Sequence, residues 1–74
     1  MGKKALLSPA TLIQSRHSLH RKRLSEYNAR FNAGEKAPGL EPYEDLSSQT
    51  VAVIYELEHL ADALGIELEE RLND

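Results

Sequence analysis

Between Pro9 and Gly34 the chain contains no glycine or proline, and between Leu46 and Gly65 there is again none, whereas residues 34–46 hold two of each. That punctuation allows two uninterrupted segments of several helical turns and forces a loop between them. The first segment opens with Ser8, which can cap, and Pro9, which stands where a missing N–H costs nothing. Leu7 before the cap and Leu12 four residues into the helix form a hydrophobic staple. Ile13, His17, His20, Leu24, Tyr27 and Phe31 follow at spacings of 4, 3, 4, 3 and 4, a two-heptad seam on one face. Gly34 supplies the stop, and the pattern predicts a helix over about 9–33.

The second segment repeats the grammar. Ser47 is the expected cap, with Leu46 and Val51 as the staple. Thr50, Ile54, Leu57, Ala61 and Leu64 form its seam, widened by Val53 and Leu60, and Gly65 ends a helix over about 47–64 with Ile66 folding back. Leu68 and Leu72 predict a short third helix over about 66–72. At 1.5 Å per residue the two long helices measure about 37 Å and about 27 Å, so the short one is placed to cover the overhanging Leu12–His17 end. The expected fold is one all-α domain over 1–74: an antiparallel helical hairpin with a flexible 1–7 and a long loop at 34–46. Truncating Leu57 or Phe31 at mid-stripe is expected to cost about 2–5 kcal/mol, and truncating His59 almost nothing.

Charge is divided as sharply as the helices. Residues 1–36 carry eight basic and two acidic side chains; residues 37–74 carry Arg71 against ten acidic ones, leaving the chain at a net −3. Opposed halves either neutralise each other within one fold or present different faces to partners. With 74 residues and no cysteine, neither a large core nor a disulfide or thiolate metal site is available to stabilise the hairpin. Self-association into a four-helix arrangement is the remaining route, with the seam of Ile13, His17, His20, Leu24, Tyr27, Phe31, Ile54, Leu57 and Leu64 as the shared core. The N-terminal apolar run Ala5-Leu6-Leu7 is far below a signal sequence, and no stretch nears a membrane span, so a cytoplasmic protein is expected.

The segment Leu57-Glu58-His59-Leu60-Ala61-Asp62-Ala63-Leu64-Gly65-Ile66-Glu67-Leu68-Glu69-Glu70 resembles the closing helices of lambda-repressor-type helix-turn-helix domains, over about a fifth of the chain. The residues before it depart from that family: its helix-turn-helix core is missing, and Pro38-Gly39 and Pro42 fall where its recognition region would be. DNA binding is therefore not carried over.

Candidate sites are few. Arg16, Arg23 and Arg30 recur every seven residues, which suits pairing with the acidic second helix or, joined to His20-Arg21-Lys22-Arg23, a phosphate-binding stripe. His17 and His20 lie a turn apart and Glu56-x-x-His59 has metal-binding spacing. His59, however, is two residues from Leu57, about 200° around the helix, and points away from the seam. No metal or cofactor site is expected, and without a nucleophile elbow, phosphate loop or positioned carboxylate pair, no enzyme. What remains are outer strips: Leu12 and Leu19 interleaved with Arg16 and Arg23, Val51 with Tyr55, and Tyr43 in the acidic loop as an aromatic anchor. The expected function is a small interaction protein, an adaptor or inhibitor of the bacterial or phage accessory type. It would bind a partner protein through these residues; the alternative is a nucleic-acid-binding regulator using the basic first helix.

Overall fold

A computed structural model describes residues 8–72; the expected Leu7–Leu12 staple and the N-terminal residues 1–7 lie outside that range. Two helices, α1 (Pro9–Asn32) and α2 (Tyr43–Leu64), pack against each other, and no strand occurs among the described residues. Ser47 of α2 touches Asn28 of α1, and Glu58 touches His17, so the helices run antiparallel with facing residue numbers summing to about 75.

Local chemistry accounts for most helix ends. Ser8 Oγ accepts the Thr11 N–H at 3.1 Å, and Pro9 takes the first turn. Both helices close on a left-handed glycine, Gly34 at φ 77° and Gly65 at φ 71°. The Glu35 N–H reaches Arg30 O at 3.0 Å, and the Ile66 N–H reaches Ala61 O at 2.8 Å, the long bond of a Schellman closure in each case.

The start of α2 differs from expectation. It begins at Tyr43 behind Pro42, one turn before Ser47, so the loop is 33–42 rather than 34–46. Tertiary packing supplies the reason: Tyr43 is buried with its ring 6.0 Å from that of Tyr27, and Glu44 and Asp45 sit favourably on the first turn's dipole. Ser47 is thereby freed from capping and donates its hydroxyl to Asn28 Oδ1 at 3.0 Å, tying the helices together.

The core is small. Ile13, Tyr43, Ile54 and Ala61 are its buried hydrophobic residues, with His17, Thr50 and Glu58 as buried polar ones. Thr50 is tolerated because its hydroxyl donates to Leu46 O at 2.7 Å. The centre of the α2 stripe therefore runs Thr50–Ile54–Glu58–Ala61. Leu57 is half-buried at its edge and Leu64 is 58 % exposed, a rotation away from the seam expected from sequence. On α1, His20, Leu24 and Tyr27 are half-buried. Phe31 is 52 % exposed, and Tyr43 packs its ring on Tyr27.

Residues 66–72 are not helical. They form an irregular strap, tied back to both helices. Polar bonds account for the departure: Arg71 reaches Asp62 and the Leu72 N–H reaches Glu58, closures that a continuous helical repeat after Gly65 does not make. The segment resembling paired closing helices is accordingly the end of α2 followed by this strap.

Candidate interaction site

The strap decides which surfaces remain open. The Gln14 side chain donates to Glu67 O at 3.1 Å, and Arg21 pairs with Glu70, which fixes the strap on one flank of α1. Arg71 grips Asp62 through two bonds of 2.9 and 3.0 Å, which fixes it on one flank of α2. That pairing holds the Asp62 carboxyl below its ordinary range, first through the hydrogen bond from Arg71. Beneath the strap lies a buried polar latch: His17 Nε2 meets Glu58 Oε2 at 2.8 Å, and the same oxygen accepts the Leu72 N–H at 2.7 Å. Among the described residues no buried side-chain polar atom lacks a partner.

Helix geometry then identifies the opposite face. Leu12 and Arg16 stand two residues either side of Gln14, and Leu19 and Arg23 two residues either side of Arg21. At 100° per residue each lies about 200° from a strap contact. Leu60 and Leu64 bear the same relation to Asp62, and Val53 and Leu57 continue their line at spacings of 4, 3 and 4. The hairpin thus has one face under the strap and one uncovered. The uncovered face carries two parallel lanes: Leu–Arg–Leu–Arg on α1 and Val–Leu–Leu–Leu on α2.

These lanes are exposed. Leu12 and Leu19 are 45 and 41 % accessible, and Val53 and Leu60 are 40 and 47 % accessible. Arg16 and Arg23 are exposed and form no ion pair among the described residues, so the pairing with the acidic helix offered by their heptad spacing is not made. Arg30, the third of that series, donates instead to the Tyr43 hydroxyl at 3.4 Å. His20, half-buried between the lanes, is held below its usual range by burial and by the charges of Arg23 and Arg16. The run His20–Arg23 is divided by the fold, because Arg21 faces the strap and Arg23 the open side.

The other sequence candidates separate. Val51, half-buried, and Tyr55, exposed, lie seven or eleven residues before Asp62 and so on the strap's flank of α2, away from the Leu12–Arg23 lane. Tyr43 is no loop residue but a 5 % exposed helix-start residue under the hairpin's end. Beside it the loop encloses a groove of about 610 Å³ between Tyr27, Tyr43 and Leu46 on the helices and Pro38 and Leu40 on the loop. Sequence reasoning missed Glu58 and the α2 lane. The signal for Glu58 was its position four after Ile54 and three before Ala61, inside the apolar stripe. No three His or carboxylate side chains gather as a metal-binding group among the described residues, and no described helix is long and apolar enough to cross a membrane. No protein-family model, curated protein or solved structure matches this chain.

Proposed function

We propose that this protein is a small non-enzymatic interaction protein that self-associates and regulates a partner protein, as an adaptor or inhibitor, through its uncovered face. The observation that carries the reading is the pair of exposed lanes opposite the strap: a row of apolar side chains beside leucines alternating with unpaired arginines. Such a surface suits an amphipathic helix laid along it, with apolar anchors in the groove and carboxylates meeting the arginines at the rim. An exposed apolar surface of this extent on so short a chain is the usual mark of a binding face.

The charge reversal Arg16→Glu with Arg23→Glu tests it. Both side chains are exposed in the single hairpin, so the doubly substituted chain should keep its helical circular dichroism while losing capture of its partner from a lysate of its own cells. Equal loss of folding and capture contradicts the reading. The nucleic-acid alternative has a distinct signature: binding to generic duplex DNA that falls steeply with salt, about one counterion per phosphate contact. With Arg21 turned to the strap, the arginines left for such a stripe lie on the apolar face itself, which favours a protein partner.

A further inference from the structure

We infer that the occupant of the uncovered face is a second copy of this chain, seated face to face about a two-fold axis parallel to the helices, so that α2 of each copy lies on α1 of the other. This deepens the proposed function and rests on its premise that the uncovered face is an interaction surface. The first argument is charge. α2 contains no lysine or arginine, and Glu56 stands beside Val53 and Leu60 on the open face, three and four residues away. α2 is therefore the acidic amphipathic helix that the Leu12–Arg16–Leu19–Arg23 lane requires. Each copy offers one lane and needs the other, which makes the face self-complementary, as a two-fold contact demands.

The second argument is register. A two-fold axis parallel to the helices introduces no axial shift, so facing positions keep the sum of about 75 seen within the hairpin. Leu64 then comes level with Leu12 of the second copy and Leu57 with Leu19. Glu56 comes level with residue 19 as well, between Arg16 and Arg23 of the facing lane. Stacking α2 on α2 instead sets α1 on α1 and lays the two arginine-bearing lanes against each other, a like-charge contact.

The third argument is the smallness of the hairpin's own core. A hairpin whose buried hydrophobic residues are Ile13, Tyr43, Ile54 and Ala61 gains from this contact a core it lacks alone. The product is a four-helix arrangement with both straps on the outside.

Sedimentation equilibrium on the full chain tests the proposal. Wild type should sediment as a dimer at micromolar concentration. Leu60→Glu with Leu64→Glu, both exposed in the single hairpin, should leave the helical signal intact and weaken dimerisation roughly a hundredfold or more. Geometry is read by mixing two single-cysteine proteins, Leu12→Cys and Leu64→Cys: oxidation should give the mixed disulfide ahead of either homodimeric one. A wild-type monomer, or a prevailing Leu64→Cys homodimer, overturns the arrangement. A monomer that still captures a partner in an Arg16- and Arg23-dependent way overturns the dimer alone, whereas a dimer that captures nothing overturns the partner-binding reading alone.

Discussion

Substituting His17 by leucine should be the most damaging conservative change in this chain, and adding Glu58→Leu should repair most of the damage. Glu58 is 2 % exposed, and its Oε2 meets His17 Nε2 at 2.8 Å and the Leu72 N–H at 2.7 Å. Removing the histidine leaves the Glu58 carboxyl group in a nearly dry site without its side-chain partner from α1. Breaking a buried pair in this way costs about 3–5 kcal/mol, while replacing both members by apolar groups is often neutral. A 74-residue domain has roughly 4–11 kcal/mol of stability in all, so the single substitution brings it close to unfolding. The double substitution gives up the strap bond from Leu72, about 1 kcal/mol. Urea melts followed by circular dichroism, at one protein concentration, measure both; with a slope near 1 kcal/mol per molar, the single change moves the midpoint by roughly 3 M or more. A loss below about 1 kcal/mol for His17→Leu, or a double variant no more stable than the single one, refutes the claim that this pair is a buried, coupled latch.

Two further outcomes follow from burial and charge. Ile54→Ala, at a fully buried site, should cost about 2–5 kcal/mol, whereas Phe31→Ala, at a half-open one, should cost under about 1 kcal/mol; the reverse order in the same urea melts means that the core is centred elsewhere. Asp62 has its carboxyl depressed in the fold by Arg71, so its contribution is present above the ordinary value near 3.8 and lost as pH falls through the lower folded value. The protection of amides in residues 66–72, taken relative to their intrinsic exchange rates, should accordingly fall as the pH drops below that ordinary value while the centres of α1 and α2 stay protected, and a strap equally protected on both sides of it contradicts this.

The hairpin was legible in the sequence because local rules and the global fold agree there. Ser8 and Pro9 open α1, Gly34 and Gly65 close the helices, and nothing between them competes with the helical period. The start of α2 was misplaced because two local signals conflicted. Ser47 is the better cap by propensity, but Tyr43 could bury its ring on Tyr27 only if the helix began a turn earlier, and that contact joins residues 16 apart. Phe31 and Leu64 were placed in the seam for a related reason: periodicity shows that an apolar stripe exists and locates its centre only to within a residue or so.

The strap was illegible for a different reason, and it determines the candidate site. Leu68 and Leu72 have helical spacing, yet the bonds that place residues 66–72 are long-range polar ones: Gln14 to Glu67, Arg21 to Glu70, Arg71 to Asp62 and Leu72 to Glu58. Gln14, Arg21 and Asp62 do not announce themselves locally, because each is an ordinary charged or amide residue on the flank of a helix, and the place of Glu58 inside the apolar stripe marks it as unusual without naming what it binds. The consequence reaches the whole surface. Had residues 66–72 continued as an amphipathic helix, they could have turned Leu68 and Leu72 onto the Val53–Leu64 lane and covered it. Held by polar bonds to the other flank, they bury the His17–Glu58 pair and leave that lane to whatever binds it. The arginines of α1 follow the same division: Arg21 is engaged by the strap, and Arg16 and Arg23, each two residues after a strap contact, are left to the open face. Cutting the strap at Gly65 should therefore expose a second face without altering the first. Binding through the Leu12–Arg23 lane should survive that cut as long as the helices themselves stay paired.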